Sequence, residues 1–177
     1  MKKFLFIFGL IFMLSMNSVF ADIQGKWFHP KAIRVYIQQG HKRTALMRHA
    51  FDSWSRITKY KLIFNKTITP KAADIEVFFV DKIDPNNSAS DRAIGLTRTT
   101  IESGKKIIHA TIWIADYSQD DRKLSDDDVY TVMLHEIGHA IGLNHSKDPD
   151  SIMFPSEDVK QEIAQEDLET LKKLYLW

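Results

Sequence analysis

The sequence predicts an α+β domain built on a mixed, twisted sheet. Segments with period-two alternation, rich in β-branched and aromatic residues, dominate the first two thirds of the chain. Segments with apolar residues at helical spacing fall after the first strand, after the last strand and at the C-terminus. The resulting order is strand, helix, several strands, helix, loop, helix, with no internal repeat and no linker, and 177 residues favour one domain.

The chain opens on Lys2 and Lys3, continues with the apolar run Phe4 to Leu14, and then reads SMNSVFA, with Val19 and Ala21 at the small-residue positions of a cleavage site. The run is short for a bilayer span. Residues 1–21 therefore read as a signal peptide and residues 22–177 as the folded domain; an uncleaved anchor is the alternative. Cysteine is absent, which excludes disulfides and a lipid-anchored leader. The chain has 24 basic and 23 acidic side chains; the leader removes two lysines and no acid, leaving 22 against 23, net −1. That balance points to neither nucleic acid nor a basic membrane-binding face. The 156 residues after the leader (177 less 21) can bury a sizeable core without covalent staples.

Lys31 to Gln38 alternates and reads as a strand. Met47, Ala50, Phe51, Trp54 and Ile57 recur at helical spacing and predict a helix over Thr44 to Ile57. Tyr60 to Phe64 reads as a short strand, and Asp74 to Val80 as a largely apolar, central one. Asp81 to Arg92 is a polar loop by composition. Ile94 to Thr100 reads as a short strand, Ser103 to Lys106 as a turn and Ile107 to Ala115 as a strong strand. Asp116 to Asp128 holds six aspartates and reads as a solvated loop; clustered oxygens also make it a candidate for calcium, although its spacing matches no named loop. Ser125 and Asp128 form a capping box that starts a helix over Asp126 to Ile141. Residues 146–160 read as loop, and Gln161 to Leu176 as a final helix.

The predicted helix at Asp126 carries HEIGHAIGLNH, residues 135–145, which fits H-E-x-x-H-x-x-G-x-x-H. Residues four apart lie on one helix face, so His135 and His139 can aim two ring nitrogens at one ion. Glu136 leaves the helix at a different angle, beside the ion as a base rather than a ligand. Gly142 allows a left-handed turn that ends the helix and lets His145 return as a third ligand. Three protein ligands leave a fourth position for water, the mark of a catalytic rather than a structural zinc. Downstream, SIMFP places Met153 in a tight turn closed by Pro155.

HEIGHAIGLNHS followed by SIMFP resembles the matrixin branch of the metzincin zinc proteases, the matrix metalloprotease type of catalytic domain. Ser146, after the third histidine, fits that branch. Ala45 to Thr58 resembles the family's first helix, Ala73 to Val80 its third strand, and Ala164 to Trp177 its closing helix. The resemblance implies a metzincin-type zincin fold over residues 22–177, with an active-site helix, a Met-turn and a C-terminal helix. It implies a zinc-dependent endopeptidase, secreted or periplasmic, with one catalytic Zn2+ held by His135, His139 and His145 and with Glu136 as general base. The substrate is then a protein or peptide, and the chain is expected to work as a monomer, free of the membrane once the leader is cut. In matrixins an extended peptide adds to an exposed sheet edge above the zinc, for which Ile107 to Ile114 is the expected edge here. Thr131 and the segment Phe154 to Val159 are the expected walls of the side-chain pocket.

The chain also departs from the family pattern. Animal matrixins carry a second, structural zinc on three histidines and an aspartate; only His109 falls in that region, and it reads as a strand residue. The family's cysteine-based latency device cannot exist without cysteine, and no room for a pro-segment is expected between Ala21 and the first strand. Glu157 stands where the family has a tyrosine after the Met-turn. His29, His41 and His49 lie outside the motif and carry no assigned role. Two alternatives stay open: a narrow-specificity zinc peptidase acting on one partner, and a non-catalytic zinc-dependent binding module.

Overall fold

In the computed structural model the described residues are 25–87, 92–155 and 162–177. The expected leader, Glu157 and Val159 lie outside them. Five strands, β1 (Ile33–Ile37), β2 (Phe64–Thr67), β3 (Ile75–Val80), β4 (Gly95–Glu102) and β5 (Lys106–Ala115), form one sheet in the order β2-β1-β3-β5-β4. The first four in that order run parallel, and β4 runs antiparallel to β5. Three helices complete the chain: α1 (Thr44–Ile57), α2 (Asp126–Ala140) and α3 (Gln165–Tyr175). The α+β class and the mixed sheet are as expected. Among the described residues, no helix is long and apolar enough to cross a membrane.

One face of the sheet is covered by helices. Ile33, Val35 and Ile37 of β1, Ile75 and Val77 of β3, and Ile107, Ala110, Ile112 and Ile114 of β5 are all buried. They meet Met47, Ala50, Phe51 and Trp54 of α1 and Val129, Met133, Leu134 and Ile137 of α2 in one core. Trp54 also donates its indole N–H to the Leu134 carbonyl at 3.0 Å, which ties α1 to α2 while satisfying a polar tip inside the core.

Two strand expectations need correction. The strand expected at Tyr60 to Phe64 begins only at Phe64. Lys59 and Tyr60 adopt left-handed φ values of 51° and 58° as the chain reverses after α1, and Leu62 drops into the core as an anchor instead of alternating. The strand expected as the open edge, Ile107 to Ile114, is interior: β5 pairs with β3 on one side and β4 on the other. The edge is β4. Its sequence, GLTRTTIE, is the polar composition that a solvent-facing strand tolerates, whereas β5 has an almost unbroken buried face. The final helix begins at Gln165 rather than Gln161, since residues 162–164 stand outside it.

Candidate metal centre and active site

Helix α2 is fixed at both ends. At its start, the Ser125 hydroxyl accepts from Asp128 N–H at 3.1 Å, and the Asp128 carboxylate accepts from Ser125 N–H at 3.2 Å. The capping box read from the sequence is therefore present. At its end, where carbonyls lose helical partners, Ile137 O accepts from Ile141 N–H, Gly138 O from Leu143 N–H, and His139 O from Gly142 N–H. Ala140 O accepts from the Trp27 indole at 2.9 Å and Ile141 O from the Tyr175 hydroxyl at 3.0 Å. Gly142 makes the turn possible: its φ is +104°, and a Cβ there would overlap the Gly25 carbonyl.

That turn brings the third histidine back. His135, His139 and His145 offer ligand atoms that all lie within 4.8 Å of one another. Their ring centroids are 4.7, 5.3 and 4.8 Å apart. His135 Nδ1 donates to the Ile152 carbonyl at 2.7 Å, and His139 Nδ1 to the Leu143 carbonyl at 2.8 Å. A carbonyl only accepts, so each Nδ1 carries a proton, and each Nε2 is the ring nitrogen left to face a cation. Burial, reinforced by the neighbouring His135 and His145, lowers the His139 pKa to about 3 against the Leu143 hydrogen bond. Burial and His135 likewise lower the His145 pKa. Three imidazoles in this arrangement fit a zinc ion by donor type, number and spacing.

Met153 is fully buried beneath the helix, where Gly138 leaves room for it: a Cβ on Gly138 would collide with the Met153 thioether. The turn around it is held by α3. Asp167, itself fully buried, accepts from the Ser151 hydroxyl, from Ile152 N–H at 3.1 Å and from Ala164 N–H at 2.8 Å. Ser146 donates to Glu166 at 3.0 Å. The Ile152 carbonyl that orients His135 is thus placed by a buried carboxylate two elements away.

Glu136 is 6 % exposed. Burial raises its carboxyl pKa, against the influence of the neighbouring His135 and a hydrogen bond from Thr97. Thr97 Oγ1 lies 2.6 Å from Glu136 Oε2 and 3.0 Å from the Glu136 carbonyl. Gly95 stands just upstream on the same strand, where a Cβ would come within 2.6 Å of Glu136 Oε1. Neither Thr97 nor Gly95 was marked by a sequence motif; their role depends on the register of β4 over α2, and alternation (both on one strand face) was the only available signal.

The other expected residues are placed as follows. Thr131 is half-buried on α2 and donates to Asp127 O at 3.5 Å. Phe154 is half-buried, and the rest of the expected pocket wall from residue 156 onward lies outside the described residues. His109 sits in β5, with Nε2 3.2 Å from Thr111 Oγ1 and 3.9 Å from Glu76. His41 stacks on Phe79 with centroids 4.1 Å apart, and His49 stacks on Tyr130 at 5.5 Å. Among the described residues, the histidine triad is the one group of three His, Cys, Asp or Glu side chains placed to hold a metal ion, so the aspartates of 116–128 supply no comparable cluster for calcium.

Fold and site together define a metzincin-type metal centre: a helix bearing two histidines and a buried glutamate, a glycine turn to a third histidine, and a methionine turn below. A family model described as Matrixin matches residues 29–176. The chain is 32 % identical over 136 residues to an interstitial collagenase of Oryctolagus cuniculus, covering 71 % of this chain and 26 % of that protein. It is 29 % identical to metalloendoproteinase 5-MMP of Arabidopsis thaliana (71 % and 37 %) and 30 % identical to metalloendoproteinase 1 of Glycine max (75 % and 45 %). The chain thus spans less than half the length of these relatives. It belongs to the matrixin family, whose members are zinc-dependent peptidases acting on proteins or peptides.

Proposed function

We propose that this chain is an exported zinc endopeptidase in which His135, His139 and His145 hold one zinc ion and Glu136 is the general base. The convergence of three imidazoles within 4.8 Å, beside a buried glutamate on the same helix, is the observation that carries the reading. A zinc ion held there would supply a Lewis acid for the scissile carbonyl and lower the pKa of water at its open position. Glu136 takes a proton from the attacking water; as the C–N bond breaks, it passes that proton to the leaving nitrogen.

Substrate would lie along β4, whose outer side has no strand beside it among the described residues. Main-chain pairing with an edge gives affinity with little sequence choice. Lys2, Lys3, the apolar run to Leu14 and the Val19 and Ala21 positions support export by a cleaved leader, to the periplasm or the medium, with the mature chain monomeric.

Digestion of casein and of a peptide library, with and without a chelator, tests the activity, and metal analysis of the same sample tests the zinc. Glu136→Gln is expected to keep one zinc per chain and to lose nearly all turnover. Zinc-loaded protein that binds peptides without cutting them would make this a binding module instead, and cleavage confined to a single protein would make it a narrow-specificity peptidase. N-terminal sequencing of exported material should begin at Asp22.

A further inference from the structure

We propose that Thr97 is a positioning residue for Glu136, holding the carboxyl group by a hydroxyl that stays hydrogen-bonded throughout proton transfer; this rests on the reading of Glu136 as the base. A buried carboxylate needs a donor, and among the described residues the Thr97 hydroxyl is the side chain that supplies one. Its reach is unusual. A single oxygen stands 2.6 Å from Glu136 Oε2 and 3.0 Å from the Glu136 backbone carbonyl, so one hydroxyl has two acceptors on the same residue.

That pairing fits a group that changes protonation state during a reaction. With Glu136 ionised, the Thr97 hydroxyl donates to Oε2. When Glu136 takes a proton from water onto Oε1, the Thr97 hydroxyl keeps Oε2 as its acceptor, with the Glu136 carbonyl as a second. When the proton moves on from Oε1 to the leaving nitrogen, the first arrangement returns. Each state leaves the hydroxyl and Oε2 bonded, and the carboxyl need not move between them. A serine hydroxyl can donate in the same way, and a valine methyl cannot. The strand contributes from a second direction. Gly95, two residues upstream on the same face, has no side chain where Glu136 Oε1, Glu136 Cγ and Val132 Cγ1 would lie within 2.8 Å of a Cβ. The carboxyl is therefore gripped at one oxygen and given space at the other by alternate residues of the strand along which substrate would lie. The sheet edge and the base are a single mechanical unit.

The test compares zinc-loaded wild type, Thr97→Val, Thr97→Ser and Glu136→Gln. Each is measured for kcat and KM on one peptide, zinc content, thermal midpoint and the 13C resonance of the Glu136 carboxyl, identified by its loss in Glu136→Gln. Thr97→Val keeps the shape and β-branching but has no hydroxyl. It is expected to lose about tenfold in kcat, the scale of one hydrogen bond to a charged group, with KM, zinc content and midpoint near wild type and the resonance displaced. Thr97→Ser is expected to restore both kcat and the resonance. A Thr97→Val enzyme with wild-type kcat overturns the proposal, as does a loss that tracks zinc content or thermal midpoint and that serine fails to rescue. Should zinc-loaded wild type cut no peptide, the proteolytic reading fails, and the resonance alone decides on Thr97: displaced in valine and restored in serine supports the contact, and unmoved in valine overturns it.

Discussion

The histidines of residues 135–145 and the aspartates of residues 116–128 are both dense in metal-ligating side chains, and they lie close together in sequence. In three dimensions they do opposite things. The histidines converge, with Nδ1 of His135 and His139 spent on backbone carbonyls and their Nε2 atoms left toward a common point. The aspartates disperse, and four of the six are answered by cations. Asp116 meets Arg43, Lys42 and His41; Asp126 meets Arg43; Asp121 meets Lys82; Asp128 caps α2 and meets Arg122. Density of ligand-type residues therefore says little by itself. What separates a metal centre from a structural cluster is whether the protein has already satisfied the donors.

The largest expected effect comes from removing a member of the convergent set. His139→Ala should drop zinc content from one per chain toward zero and activity by more than about a hundredfold, above the range for losing a mere outer-shell partner. An exposed member of the other cluster, changed in Asp120→Asn, should alter neither. Equal loss of metal in both variants would erase the contrast.

The dispersed cluster should instead matter to folding. Arg43 is 2 % exposed and donates to Asp116, to Asp126 at 2.9 Å and to the Leu124 carbonyl. It joins the head of α1 to the segment that leads into α2. Arg43→Leu leaves Asp116 to Lys42 and His41 and strands a buried carbonyl, at a cost of about 3 kcal/mol, the low end for a broken buried pair because Asp116 keeps two partners and Asp126 is largely exposed. For a domain of this size that lowers the thermal midpoint by roughly 10 °C. Zinc content at low temperature should not change.

The two clusters also differ in how far the sequence reveals them. The triad was legible because its geometry is local: three histidines, one helix period and one glycine turn. The bounds of α1 and the start of α2 were legible for the same reason, one through Met47, Ala50, Phe51 and Trp54 recurring on a face, the other through Ser125 and Asp128. The partners of the aspartates were not legible, since Arg43 is 73 residues from Asp116. Strand order was hidden too. β4 and β5 both read as strands, and nothing local says which has a neighbour on each side. That single ambiguity put the expected edge strand on Ile107 to Ile114 and hid the contact of Thr97 and Gly95 with Glu136.

Gly95 offers a milder probe of the site at the convergent cluster. Gly95→Ala places a methyl 2.5 Å from Val132 Cγ1 and 2.6 Å from Glu136 Oε1, so the carboxyl must shift. If Glu136 is the base as proposed, its displacement should lower kcat about tenfold, a barrier change near 1.4 kcal/mol, with zinc content unchanged. Wild-type kcat in this variant would count against that role for Glu136.

The smallest effects, taken per pH unit, should separate the clusters by acid. His139 has a pKa of about 3 in the fold and 6.5 as its ordinary value. Below pH 6.5 the unfolded chain accepts a proton that the folded histidine refuses, so stability declines as pH falls from about 6.5 toward 3. The slope is at most about 1.4 kcal/mol per pH unit for each such histidine. For Asp116, burial pushes the carboxyl up, but hydrogen bonds from Lys42 and His41 and the charge of Arg43 outweigh it and hold the pKa below 3.8. Its contribution is therefore complete above that value and is lost only as pH falls below it. Urea midpoints of chelator-treated protein, measured from pH 7 to 3, should show a decline starting near 6.5 and steepening below about 4. His139→Ala should flatten the upper part, with His145 left to contribute to it, while Asp116→Asn should lower the midpoint above about 4 without changing the slope there and flatten the lower part. An upper slope as steep in His139→Ala as in wild type would mean that the folded His139 accepts protons as freely as an unfolded histidine, and the acid sensitivity would have to arise elsewhere in the chain.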